Sequence, residues 1–231
     1  MTKAPRTGVV YPNLGADGRP LTVERLRHHD INMVTAARIQ RVMQPAYIAQ
    51  FEATGMLPEG TVTEHAFDPA SKKKVRTQQG RMSSHTQKYH AQYWFIRDPE
   101  DDKELVGLAK VMPKGLEDDT PFGYFNDVVV RPDAQGNGYG RVLAHASLKF
   151  GPAPQNQPLA LEGYAGSPVN AWFEGEWHMV ARGVDADGVS FGQHKLPQIR
   201  YITEADISVA GIVRGFEARI PELALGEYVE L

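Results

Sequence analysis

The residues best suited to chemistry lie between positions 127 and 143, Asp-Val-Val-Val-Arg-Pro-Asp-Ala-Gln-Gly-Asn-Gly-Tyr-Gly-Arg-Val-Leu. A β-branched strand stops at Pro132, and a glycine-rich turn then opens an amphipathic helix. A helix N-terminus presents unpaired amides and about half a positive charge, so anions settle there. Glycines let an anion approach the backbone without meeting a Cβ. Residues Gln135, Gly136, Asn137, Gly138, Tyr139, Gly140 and Arg141 are therefore read as a phosphate or pyrophosphate cradle. A P-loop would end in Gly-Lys-Ser/Thr, which is missing here. A dinucleotide fingerprint would read G-x-G-x-x-G directly after the strand. Here the spacing is G-x-G-x-G, but Glu162 lies where a ribose-binding acid would stand. A nucleotide-dependent oxidoreductase therefore stays open, as does a plain glycine-rich helix entry.

The elements that must position this loop follow from patterning. The first twenty residues, punctuated by Pro5, Gly8, Pro12, Gly15, Gly18 and Pro20, read as a surface arm. Residues 21–27 alternate as a strand. Asp30 is the expected N-cap of a helix over 31–44, ended by Pro45. A short helix over 46–53, closed by Gly55, follows. Residues 55–87 read as a basic insertion. Between Asp68 and His90 stand Lys72, Lys73, Lys74, Arg76, Arg81 and Lys88 against the single acid Asp68. That is the pattern of a solvated loop, or of a contact for an acidic partner or phosphates. Strands over 89–96, 104–112 and 122–130, joined by polar turns, form an antiparallel meander. A helix over 139–150 carries Tyr139, Val142, Leu143, Ala146 and Phe150 on one face. A strand over 158–164 leads to Ser167 as N-cap and Pro168 at the first position of a helix running to Gly175. Strands over 178–184, 189–194 and 198–203, with a turn over 185–188, precede a helix over 204–219. The predicted fold is α/β, with a mixed, mostly antiparallel central sheet and flanking helices. A helical extension fills 204–231.

Composition narrows the function classes. In 231 residues there are 25 Lys+Arg, 28 Asp+Glu and no Cys. The charge of −3 makes nucleic acid an unlikely partner. Without Cys there is no thiolate nucleophile and no Cys-ligated metal. The histidines show no HExxH or other close ligand spacing, so no metal is expected. No apolar run reaches membrane-spanning length, and a cytoplasmic location is the simplest expectation. Oligomeric state is not legible.

The loop resembles the Gln/Arg-x-x-Gly-x-Gly/Ala signature of the GNAT superfamily of acyl-CoA-dependent N-acetyltransferases. Gln135, Gly138 and Gly140 match its specified positions. Val128, Val129, Val130, Arg131 and Pro132 resemble the preceding strand. Leu161, Glu162, Gly163, Tyr164, Ala165, Gly166 and Ser167 resemble the next strand and its turn into a helix. The resemblance covers about 21–203. It implies that the 135–141 backbone holds the pyrophosphate of acetyl-CoA, and that the strand 128–130 pairs with the pantetheine arm. It further implies that the acceptor is an amine of a small molecule or a protein. Ser167 or Asn170 falls where the family often has Asn, which implies Asn170 as a further cofactor-binding residue. Phe173 or Glu174 falls where its general-acid Tyr stands.

Acetyl transfer needs a neutral amine, a polarised thioester carbonyl and a protonated leaving thiolate. Glu162 is the first candidate base, Asp127 the second, and Tyr164 a candidate proton donor. A non-catalytic acyl-CoA-binding or regulatory module of the same fold is the alternative.

Overall fold

The computed structural model describes residues 6–15, 18–55, 72–101, 103–113, 122–191 and 194–231. Alternating burial along the strands sets the architecture. In β3 (Gln92–Arg97), Trp94 and Ile96 enter one apolar cluster while Tyr93 and Phe95 enter another. Side chains on a strand point alternately to opposite faces, so both faces of the sheet are covered. β4 (Leu105–Met112) is buried along its whole length, as a central strand between two helical layers must be.

Among the described residues the sheet has nine strands in the order β7-β8-β6-β5-β4-β3-β2-β1-β9. The outer strands are β1 (Thr7–Tyr11), β2 (Leu21–Leu26), β7 (Met179–Phe191), β8 (His194–Thr203) and β9 (Glu227–Glu230). β5 (Gly123–Val130) and β6 (Leu159–Tyr164) make its parallel pair, and the other recorded pairings are antiparallel. The predicted mixed, mostly antiparallel sheet is therefore present. It contains no doubly wound parallel half of the kind that binds dinucleotides. One face carries α3 (Tyr139–Phe150) and α5 (Val209–Arg219); the other carries α1 (Met33–Thr54) and α2 (Lys72–Tyr89). Between β6 and β7 lies α4 (Val169–Glu176).

Several expectations need correction. The arm contains β1, which pairs with β2 and β9, so the start and end of the described chain share one sheet edge. The helices expected over 31–44 and 46–53 are one helix. Pro45 lies inside it and removes one backbone donor, but Ile39, Val42, Ala46 and Phe51 are all buried along it. Its cap is Asn32, whose Oδ1 accepts from the amides of Val34 and Thr35 at 2.9 and 3.0 Å. Asp30 instead accepts from Arg27 Nε at 2.7 Å.

The basic segment from Lys72 onward is helical, not a solvated loop. The turn expected over 185–188 is a bulge inside β7, where register moves from Asp185↔Gln198 to Val189↔Leu196. The C-terminal helix begins at Val209, capped by Ser208 Oγ accepting from Gly211 N. The extension then ends in a strand rather than in helix. Ser167 does cap α4 as expected: Pro168 already has helical φ and ψ, and Ser167 Oγ accepts from Val169 N at 3.3 Å.

Candidate active site

The site arises from a failure of two strands to stay paired. β5 and β6 are in register only at Gly123↔Leu159, Tyr124↔Ala160 and Phe125↔Leu161. Beyond these residues they part. On its other edge β5 bulges: Lys110 faces Asp127, but Val111 faces Phe125, leaving Asn126 as the extra residue. A bulge twists its strand and re-aims the following side chains. The β6-facing edge of β5 from Asn126 onward thus opens into a cleft.

Two cavities meet in the cleft. The larger, about 900 Å³, is lined by Val128, Val129 and Val130, the glycine loop, α1 and the start of α4. The smaller, about 420 Å³, reaches α2, Asp127 of β5 and Glu162 of β6. Tyr47, Gln50, Val128 and Val169 line both. Gln50 Nε2 donates to Ser167 Oγ, tying α1 to the turn before α4 above this junction.

The glycine loop has the features of an anion cradle. Gly136 and Gly138 hold φ of +84° and +80°, a region L-residues seldom adopt. The space a Cβ would fill at either is open. No side chain caps α3 at Gly138, and Gly138, Tyr139 and Gly140 line the larger cavity. The remaining polar groups brace the loop. Gln135 Nε2 donates to the Val130 carbonyl at 3.0 Å, and Asn137 Nδ2 to the Ala134 carbonyl at 3.2 Å. Arg141 Nε donates to Glu176 Oε2 at 2.9 Å across the cavity mouth. That hydrogen bond, ahead of a smaller opposing effect of burial, holds Glu176 below the usual carboxylate range. Tyr139 and Gly140 line the cavity beside Arg141.

The smaller cavity is charged. Asp127 receives Lys110 Nζ at 2.8 Å and the Tyr47 hydroxyl at 2.6 Å. Burial pushes its pKa up, yet Lys110 and the Tyr47 hydrogen bond outweigh this and hold it below the usual value. Both of its oxygens are engaged, which makes it a poor proton acceptor. Glu162 stands across the splay, with Arg200 Nη2 at 3.6 Å and a hydrogen bond from the Tyr124 hydroxyl. His85 is neutral near pH 7: burial, then Lys110 and Arg81, push its pKa down to about 4. The Tyr164 phenol is pushed up to about 12 by burial and then by Asp127. Its ring packs edge-on against Tyr47 and Phe51.

The geometry thus brings Glu162, Asp127 and Tyr164 to one cavity, and Val128–Val130, Gln135, Gly136, Gly138, Tyr139, Gly140 and Arg141 to the other. Asn137 and Asn170 do not join them. The Asn170 Nδ2 donates to the Tyr164 carbonyl at 2.9 Å, and its Oδ1 packs against Gly163. Phe173 is core, beside Trp177 and Tyr201, and Glu174 accepts from the Tyr201 hydroxyl at 3.0 Å. Neither supplies a phenol. Trp94 and Trp177 are fully buried, whereas Trp172 also lines the larger cavity.

Sequence reasoning missed Tyr47 and Lys110, and named Arg81 only as one charge of the basic segment. Tyr47 was hidden by the break placed at Pro45. The signal for α2 was present: Val75, Gln78, Met82, His85 and Tyr89 step by three and four, and the first three are buried. Among the described residues no helix is long and apolar enough to cross a membrane, and no cluster of His, Asp or Glu could hold a metal.

Comparison with known proteins agrees with this geometry. Residues 62–165 match the acetyltransferase (GNAT) family. No curated protein sequence matches the chain. A structure assigned as an acetyltransferase from Acinetobacter baylyi ADP1 superposes with a TM-score of 0.55 at 12% identity. That match covers 82% of this chain and 95% of the other. A point variant of spermidine N-acetyltransferase from Vibrio cholerae gives a TM-score of 0.51 at 13% identity, covering 84% and 96%. At such identities the likeness shows a shared fold. The cleft between β5 and β6, with its glycine loop, therefore lies within the stretch, residues 62–165, that matches the acetyltransferase (GNAT) family.

Proposed function

We propose that the protein transfers an acetyl group from acetyl-CoA to an amine. The observation that carries this reading is the pair of cavities meeting where β5 and β6 part. One is floored by a helix N-terminus with open glycines, and the other is lined by Glu162. The chain's residues fit the cofactor: the amides around Gly136–Gly140 would hold the pyrophosphate, and the exposed edge of Val128–Val130 would pair with the pantetheine arm. Bound acetyl-CoA supplies an activated acyl thioester.

The side chains divide the remaining work. Glu162, directly or through water, accepts the proton lost by the attacking amine. A backbone N–H on the bulged part of β5 polarises the carbonyl. As the C–N bond forms and the C–S bond breaks, the leaving thiolate needs a proton. Tyr164 is the candidate donor, since a phenol pushed up to about 12 is protonated at neutral pH. The Tyr47 hydroxyl already donates to Asp127, and the Lys110–Asp127–Tyr47 group fixes the junction instead.

Release of free thiol from acetyl-CoA, followed across an amine panel, tests the reading. Turnover with at least one amine supports it. Tight acetyl-CoA binding with no turnover would favour the non-catalytic, acyl-CoA-binding alternative. Failure to bind acetyl-CoA would refute both.

A further inference from the structure

The smaller cavity is lined by two cations, Lys110 and Arg81, and two carboxylates, Asp127 and Glu162, and the transferase reading leaves Arg81 unused. Lys110 is committed to Asp127, and Glu162 faces Arg200. Arg81, on the cavity wall, makes no ion pair among the described residues. It projects from the same face of α2 as Gln78 and His85, three and four residues away, and all three line the cavity. Its charge reaches His85, Tyr93 and Tyr164. α2 itself carries Lys72, Lys73, Lys74, Arg76, Arg81 and Lys88 with no acid. The neutral groups beside Arg81 include donors, namely the Gln78 amide and the Tyr93 and Tyr164 hydroxyls. A guanidinium flanked by hydroxyl and amide donors at the wall of a cleft suits a carboxylate or a phosphate. The same wall repels a polycation.

We infer that the acceptor is an amine that also bears an anionic group, a carboxylate or a phosphate, held by Arg81 at the α2 wall of the smaller cavity. This rests on reading that cavity as the acceptor site. It separates the protein from the spermidine acetyltransferases that share its fold, whose substrate is a polycation. The amine then lies toward Glu162 and the β5 bulge, while the anion faces α2.

Matched probes test this. Glycine is compared with glycinamide, and phosphoethanolamine with ethanolamine, with spermidine as a polycation. Each is titrated by calorimetry into the protein saturated with CoA, a readout independent of turnover, and each is assayed for thiol release. The expected result is at least a roughly tenfold preference for the anionic member of one pair. That preference should fall to near unity in Arg81→Gln and survive in part in Arg81→Lys. The pair that shows it identifies carboxylate or phosphate as the group recognised. Equal binding within both pairs, tighter binding of spermidine, or a preference unchanged in Arg81→Gln would overturn the inference. Arg81 is exposed, so these variants should fold. Anion preference without thiol release would keep the anion site and defeat the transferase reading. Thiol release with neutral amines alone would do the reverse.

Discussion

Replacing Asp127 by Asn should destabilise the protein far more than its peripheral place in catalysis suggests. The side chain is 13% exposed and its partner Lys110 is 7% exposed, with Nζ 2.8 Å away. The substitution keeps the shape and removes the charge. The Lys110 ammonium is then left buried, with neutral His85 at 3.4 Å as its other close polar neighbour. Removing one partner of a buried pair costs about 3–5 kcal/mol. For a chain of this size each kcal/mol lowers the melting temperature by about 2–4 °C, so a fall of about 6–20 °C follows. The lowered pKa of Asp127 fixes the sign of the pH dependence. Its stabilisation is complete above the unfolded carboxyl value near ~3.9 and is lost as pH falls through the lower folded value. Asn should therefore cost much at pH 7 and progressively less as pH falls through that lower value. Calorimetric melts across that range, with Lys110→Met/Asp127→Asn as the rescue, measure it. A loss under about 1 kcal/mol at pH 7, or no recovery in the double variant, would refute the buried-pair argument.

Glu162→Gln should lower the turnover number by about ten- to ten-thousand-fold in the thiol-release assay, with acetyl-CoA affinity little changed. Equal turnover from pH 6 to 9 would make Glu162 structural. Tyr11→Phe should cost about 1–2 kcal/mol in chemical denaturation, because the Tyr11 hydroxyl donates to buried His145 Nδ1 at 2.8 Å. Burial lowers the pKa of His145, which donates from Nε2 to Glu217 at 3.1 Å. The neutral imidazole thus contributes fully above the unfolded value near ~6.5, and the contribution is lost as pH falls through the lower folded value. His145→Gln should flatten that acid decline, and an unchanged profile would exclude the network.

The elements nearest the glycine loop were the most legible. A β-branched run, a proline, glycines and a helical stripe are local signals, and β5, the loop and α3 follow them. The meander was readable because polar turns separate its strands. Features set by distant contacts were not. Thr7–Tyr11 is short and punctuated, and becomes a strand because β2 and β9 offer it partners on both sides. Pro45 reads as a stop, but burial along α1 outweighs one missing hydrogen bond. In α2 the density of charge masked a heptad-like stripe through Val75 and Met82. The site was half legible for the same reason. Asp127 and Glu162 lie near the motif, whereas Tyr47, Arg81, His85 and Lys110 reach the cleft only through tertiary packing.

If the backbone amides of the glycine loop hold the pyrophosphate of acetyl-CoA, titration of Gly138→Ala tests it most directly. At φ +80° alanine costs about 1–2 kcal/mol of strain, so the variant should fold. Its Cβ enters the open space where a phosphate must approach. By calorimetry, acetyl-CoA should bind the wild type with one site and bind Gly138→Ala at least about tenfold more weakly. Acetyl-pantetheine, which lacks the pyrophosphate, should bind both alike. Equal acetyl-CoA affinity in a folded Gly138→Ala protein would contradict the claim.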